Sequence, residues 1–205
     1  MDKNELYRDI ARRTNGEIYI GVVGPVRTGK STFIKRFMDV MVIPSIQDEN
    51  VKARLTDELP QSAAGRTIMT TQPRFIPNEA ATLEIESIRI KIRMADCVGY
   101  MVEGAVGHVE NNAPRMVRTP WFDYDIPFED AAEIGTNKVI TEHSTIGIMV
   151  TTDGSITDIK RPAYVDAEER VITELKNTGR PFIVLVNSTD PCGAEATELA
   201  AALSE

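Results

Sequence analysis

The sequence predicts an α/β domain of three layers, with a mostly parallel central sheet and one antiparallel strand. Three observations predict it. Residues 24–31 read GPVRTGKS, a complete match to the phosphate-binding pattern G-x-x-x-x-G-K-[ST] at Gly24, Gly29, Lys30 and Ser31. Apolar β-rich runs alternate along the chain with segments of helical spacing. The stretch ADCVG sets Asp96 and Gly99 in a D-x-x-G pattern just after a strand-like run, where a strand's carboxyl end faces a phosphate crevice. Together these describe a P-loop nucleotide-hydrolase domain.

Residues 4–14 form a short amphipathic helix with Leu6, Ile10 and Ala11 inward, stopped by Asn15 and Gly16. EIYIGVV (17–23) is a strand that runs into the phosphate loop, and TFIKRFMDVMV (32–42) is the helix the loop opens, with Phe33, Ile34, Phe37, Met38 and Met41 at helical spacing. Gly24 and Gly29 let the backbone bend around a phosphate with no Cβ in the way. Pro25, Val26, Arg27 and Thr28 lie between them, and loop amides and the helix N-terminus aim partial positive charge at the anion. Lys30 reaches the β- and γ-phosphates, the Ser31 hydroxyl ligates Mg²⁺, and Thr32 completes the expected nucleotide contacts.

Residues 43–66 are polar, with a helix over Asp48 to Leu59 closed by Pro60. Thr67, Thr70 and Thr71 precede a strand-like segment. This placement resembles nucleotide switches of the translation-factor type, in which a threonine here closes over Mg²⁺ and γ-phosphate. The second of the pair, Thr71, is the better candidate for that catalytic and metal-linked role than Thr70; a β-branched strand start is the plainer reading.

Thr82–Glu86 and Ile88–Ala95 read as strands joined by a tight turn at Ser87, the antiparallel exception in the sheet. Ile88, Ile90, Ile92 and Met94 alternate with Arg89, Lys91 and Arg93, so one face is buried. Asp96 is expected to hold Mg²⁺ through water, and the Gly99 amide to reach a γ-phosphate. The next residue is Tyr100, where many switch GTPases carry a glutamine that orients the attacking water. Slow intrinsic hydrolysis follows unless another group serves. Arg27 offers one: an internal arginine finger standing where potassium-dependent relatives hold K⁺ with an asparagine. The alternative is a surface arginine paired with a carboxylate.

Residues 101–130 show no periodic element, and a loop of that length after D-x-x-G reads as a second switch region. Trp121, with Phe122 and Tyr124, either anchors it, meets a partner or packs in the core. Asp130–His143 is a helix, Thr145–Thr152 a buried strand ending at Asp153 and Gly154, Asp166–Lys176 a helix stopped by Gly179, and Pro181–Val186 the next central strand. It ends in Asn187, Ser188, Thr189 and Asp190, where guanine-specific relatives carry N-K-x-D. Asn187 and Asp190 match and Ser188 does not, so the base site leaves ATP and GTP both open. ELAAALSE ends the chain with no further strand, which reads as an N-terminal fragment of a longer protein or a fold that dispenses with that strand.

The 205 residues suit one domain. A net charge of −8 argues against nonspecific nucleic-acid binding. Cys97 and Cys192 make neither a metal pattern nor a disulfide framework, as in a reducing cytosol, and His108 and His143 are isolated. No apolar run approaches the ~20 residues of a membrane span, so a membrane would be met only indirectly.

The wording is specific beyond these patterns. GVVGPVRTGKSTFIKRFM, DELPQSA-x-GRTIMTTQPRFIP, MADCVGY, APRMVRTPW, IPFEDAAEIGTNKVITEHSTIG, VTTDGSI and AEERVI-x-ELK resemble the N-terminal region of the stage IV sporulation protein A family, over about residues 5 to 190. The resemblance implies a domain of the translation-factor-related GTPase class that hydrolyses ATP with Mg²⁺. In the family, hydrolysis drives a conformational change and self-assembly into a static polymer. That polymer covers the outer forespore membrane from the mother-cell cytoplasm, is recruited by a small amphipathic membrane peptide, and carries other spore coat proteins. Lys30, the Thr70 and Thr71 pair, and Asp96 carry over as functional positions. Asp190 departs from the family pattern. Two rival readings stand beside this one: a GTPase switch, and a scaffold that binds nucleotide without turnover.

Overall fold

The structure, a computed structural model, describes residues 17–60, 72–85 and 88–204. The helix expected at 4–14 and the threonines at 67, 70 and 71 lie outside the described residues. Strand β1 (Glu17–Val23) enters the phosphate loop, helix α1 (Lys30–Phe37) leaves it, and helix α2 (Glu49–Glu58) follows. Strands β2 (Arg74–Ile85) and β3 (Ile88–Asp96) come next, then helix α3 (Phe128–Thr141), strand β4 (Ile146–Thr152), helix α4 (Val165–Thr178), strand β5 (Phe182–Asn187) and helix α5 (Ala194–Ala202). The sheet order is β2-β3-β1-β4-β5, parallel throughout except for the antiparallel pairing of β2 with β3.

Strand side chains alternate between the two faces, and that alternation makes the layers. Ile18 and Val22 of β1, Ile92 and Met94 of β3, and Ile148 and Val150 of β4 face α1 and α2, where they bury Ile34, Met38 and Leu55. Val23, Ala95 and Met149 face the other way, against Phe128, Ala131 and Val139 of α3 and Ala167, Val171 and Leu175 of α4. Each such aliphatic side chain contributes about 1.5–3 kcal/mol by leaving water. The predicted three-layer α/β architecture is the one observed.

Several boundaries differ from the sequence reading, each for a local reason. The helix after the loop is regular only to Phe37; Met38–Val42 is a π turn, with the Ile43 amide bonded to the Met38 carbonyl five residues back. Pro44, which follows, has no N–H with which to continue an i→i−4 ladder. The expected strand at 82–86 starts earlier, at Arg74, and its register with β3 shifts between Ile76 and Ala81. Pro77 falls in that irregular stretch, tolerated because β2 is an edge strand. Helix α3 begins at Phe128 rather than Asp130 and ends at Thr141 rather than His143. The loop 101–130 is not wholly irregular: Val109–Glu110 pairs with Ala113–Pro114, and Met116–Val117 with Ile126–Pro127. Strand β5, expected to be central, is at the sheet edge among the described residues, and Ile183 is exposed. Helix α2 matches its prediction, capped by Asp48, whose carboxylate accepts from the Asn50 and Val51 amides. Helix α4 stops before Gly179 as expected. His143 packs edge-on against Phe75.

The register brings the carboxyl ends of four strands together. Val22 pairs with Asp96 on one side and Ile148 on the other, and Thr152 pairs with Asn187. The phosphate loop, Asp96 and Asn187 therefore share one end of the sheet, the end at which open α/β sheets bind ligands.

Candidate functional site

The phosphate loop is held by backbone contact. Gly24 has φ +136°, and a Cβ there would lie 2.2 Å from the Val150 carbonyl oxygen of β4. Only glycine fits that approach. Thr28, fully buried, donates its hydroxyl to the Pro25 carbonyl at 3.0 Å, and the Val26 amide donates to the Tyr100 carbonyl at 2.9 Å. Gly29 is the N-cap of α1 and brings no side chain to cap it, so no capping side chain takes up the first amides of the helix. Lys30 is 5% exposed and its Nζ donates to the Pro25 carbonyl at 2.6 Å. Burial pushes its pKa below the usual lysine value, while the nearby Cys97 and Asp96 oppose that shift.

Ser31 stands in the first turn of α1 and Asp96 at the end of β3, and the Ser31 hydroxyl donates to Asp96 Oδ2 at 2.6 Å. Asp96 is buried, and its other oxygen, Oδ1, has no hydrogen-bond partner. Burial raises its pKa, against the opposing effects of the Ser31 hydroxyl and the Lys30 charge. An orphaned carboxylate oxygen beside a hydroxyl at a phosphate loop fits Mg²⁺, which takes one or two protein oxygens and fills its shell with water and phosphate. No group of three or more His, Cys, Asp or Glu side chains that could hold a metal ion occurs among the described residues.

Gly99 lies over the loop: a Cβ on it would be 2.2 Å from the Gly24 carbonyl oxygen and 2.6 Å from Lys30 Nζ. Its amide does not face the loop; it donates to Thr136 Oγ1 of α3 at 3.1 Å. The Tyr100 side chain is directed to α4. Its ring is buried beneath the Arg170 guanidinium, 4.0 Å from the centroid, and its hydroxyl donates to Glu174 Oε2 at 2.5 Å. The position that carries a water-orienting glutamine in other switches is here a packing residue. Trp121 anchors the preceding loop: its Cη2 would be 3.2 Å from a Cβ on Gly135 of α3.

At the end of β5, Asn187 Nδ2 donates to the Thr28 carbonyl at 3.0 Å, tying that strand end to the phosphate loop. Ser188 is half-buried, and its hydroxyl accepts from the Asp190 amide at 3.0 Å. Asp190 is exposed and turned toward Gly193 at the start of α5. Arg27 has φ +66° and lines a cleft of about 260 Å³ with Glu103, Val106, Asp158 and Lys160. Thr32 is exposed on the first turn of α1.

Sequence reasoning missed three groups here. Thr136 and Glu174 lie in ordinary amphipathic helices, and nothing in their spacing marks them. The buried Glu168 accepts a bidentate pair from Arg161, both bonds 2.7 Å, and the Thr151 hydroxyl. This pair clamps the 153–164 loop onto α4. Asp153, by contrast, had a signal in its Asp-Gly turn: its carboxylate accepts from the Ser155 amide and hydroxyl, and Ser155 in turn accepts from the Thr189 amide.

Residues 1–205 match the family described as stage IV sporulation protein A, ATPase domain. Stage IV sporulation protein A of Bacillus anthracis is 56% identical over 206 residues, which cover 100% of this chain and 42% of that protein. Its counterpart in Clostridioides difficile is 55% identical over 203 residues, covering 98% of this chain and 41% of that protein. The chain thus spans about two fifths of the length of these relatives. Among solved structures, a crystal structure of an SsGBP variant aligns over 98% of this chain and 48% of its own at 16% identity, with a TM-score of 0.44. No helix among the described residues is long and apolar enough to cross a membrane.

Proposed function

The chain belongs to the stage IV sporulation protein A family, and on that premise we propose that it binds ATP with Mg²⁺ and hydrolyses it to ADP and phosphate. The observation that carries the reading is the convergence of Lys30, Ser31 and the unpartnered Asp96 oxygen on the glycine-bounded loop 24–29. Water attacks the γ-phosphorus, the bond to the bridging oxygen breaks, and negative charge passes to ADP. Lys30 and the loop amides hold the phosphate oxygens where that charge develops. Ser31 and Asp96 would hold Mg²⁺, which would supply positive charge to the same oxygens. Thr71, with Thr70 beside it, closes over the γ-phosphate, and Arg27 adds a cation from within the loop. Asn187, Ser188 and Asp190 border the base.

In the longer protein, hydrolysis drives the conformational change by which copies of the chain polymerise on the forespore surface, from the mother-cell cytoplasm. A small amphipathic peptide brings the polymer to the membrane, other coat proteins dock on it, and nucleic acid is not a partner. Support for this part is family membership and the resemblance in sequence. The side chain of Tyr100, buried away from the phosphates, suits a subunit that turns over slowly.

A second reading, GTP hydrolysis, draws on Asn187 and Asp190 at the end of β5. Thermal unfolding with Mg²⁺ and ATP, GTP or no nucleotide separates the two, because a ligand that binds the folded state raises the midpoint. A larger rise with ATP is expected; a larger rise with GTP would transfer the reading to guanine. Lys30→Ala should lower phosphate release at least a hundredfold, about 2.7 kcal/mol or more of transition-state stabilisation. Wild-type turnover in that variant would remove the site assignment.

A further inference from the structure

We propose that Thr136 is a positioning residue that competes with the γ-phosphate of a bound nucleoside triphosphate for the Gly99 amide, and so couples the nucleotide to the α3–α4 helix pair. The inference rests on the nucleotide-binding reading above.

The geometry around Gly99 is the starting point. Its Cα is against Lys30, close enough that a Cβ would be 2.6 Å from Nζ, while its N–H donates to Thr136 Oγ1 at 3.1 Å, with the buried Cys97 thiol beside both groups. An anionic oxygen held by Lys30 would lie beside the Gly99 Cα, at a different place from the present acceptor of its amide. The amide can serve only one of them. Gly99 has φ +97°, and a residue without Cβ is the kind that rotates its peptide at little cost.

The bond to Thr136 is not isolated. Thr136 is fully buried, and its neighbour Asn137 donates to Glu174 Oε2 at 3.2 Å. The Tyr100 hydroxyl donates to the same oxygen, and Arg170 joins Glu174 Oε1 at 3.3 Å to Glu133 Oε2 at 2.8 Å. Residues 99 and 100 are thus pinned to one turn of α3 (Glu133, Thr136, Asn137) and one turn of α4 (Arg170, Glu174). Rotation of the Gly99 peptide toward a phosphate releases the first pin and pulls on the second. A diphosphate has no oxygen at that place and leaves both intact. The α3–α4 pair therefore distinguishes triphosphate from diphosphate through one exchanged hydrogen bond.

The test is Thr136→Val, which removes the acceptor and keeps the shape. Dissociation constants are measured by calorimetry for Mg²⁺ with ADP and Mg²⁺ with a non-hydrolysable ATP analogue. The variant should bind the analogue about fivefold more tightly relative to ADP, the size of one ordinary hydrogen bond. Thr136→Ser, which restores the acceptor, should return the wild-type ratio. A second measurement needs no variant: the Gly99 amide resonance of the wild-type chain should shift strongly with the analogue and little with ADP. An unchanged ratio in folded Thr136→Val, or a Gly99 resonance that responds equally to both nucleotides, overturns the coupling while leaving nucleotide binding standing. Failure of the wild-type chain to bind either nucleotide overturns both readings together.

Discussion

Around Lys30 the chain is buried and bonded through its backbone, whereas three residues beyond the end of β5 it is exposed and bonded through short side chains of its own loops. At the phosphate end, Thr28 has no exposure, Val26 is bonded to the Tyr100 carbonyl, and Gly24 is wedged against β4. At the base end, Thr189 hangs from the Ser155 hydroxyl and the Asp190 amide from the Ser188 hydroxyl. The difference follows from what each end must recognise. A phosphate chain is the same in every nucleotide, so fixed amides and one lysine suffice, and packing can freeze them in advance. A base differs between nucleotides, and on the proposed reading its selection would fall to side chains on a surface loop. Asn187 joins the two ends, since it sits on β5 but gives its amide to the phosphate loop.

That contrast is open to being broken, and Gly24→Ala should strain it most. The new methyl would meet the Val150 carbonyl oxygen at 2.2 Å with φ at +136°. Overpacking and backbone strain together should destabilise the fold by roughly 2–6 kcal/mol. Urea unfolding gives the number, with the slope unchanged if only the native state suffers. A wild-type midpoint would mean that the phosphate end yields and is not frozen. Asn187→Ala comes next. It leaves the buried Thr28 carbonyl without its donor, a cost of about 1–3 kcal/mol. It should also weaken ATP and GTP alike, because the loop beneath both loses its tie. Selective loss of one nucleotide would instead make Asn187 a reader of the base.

The same division explains what could be read from the sequence. The layers, the five main strands and the phosphate end were legible because each rests on local rules: alternation in β3, helical spacing in α1, and a pattern in which Gly24, Lys30 and Ser31 must stand at set intervals. Asp96 was legible through its distance from that pattern. Three kinds of feature were not. The π turn at Met38–Val42 and the register shift of β2 coincide with Pro44 and Pro77, whose effects on neighbours are weak signals until the sheet is assembled. The edge position of β5 depends on topology, which an apolar run such as PFIVLV does not encode. Thr136, Glu174 and Glu168 act across gaps of 37, 74 and 17 residues, as partners of Gly99, Tyr100 and Thr151. A threonine or glutamate in an amphipathic helix carries no mark of such a partner.

The smallest expected effect sharpens the contrast by repeating the Gly24 chemistry at the other end. Gly193→Ala adds the same methyl beside the base loop, where it would lie 2.7 Å from Asp190 Oδ2. That clash is nominally severe, but its nearest partner is the far end of an exposed side chain that can rotate into water, the Asp190 carbonyl oxygen at 3.2 Å need give only slightly, and Gly193 has φ −69°, a conformation that alanine adopts freely. What remains is the poorer performance of alanine as the N-cap of α5, so the loss should be no more than about 1 kcal/mol in urea unfolding. If Gly193→Ala proved as costly as Gly24→Ala, the base end would be as rigid as the phosphate end. Exposure of Asp190 would then be a poor guide to its freedom, and the side chains after β5 would have to be regarded as a preorganised site rather than an adaptable loop.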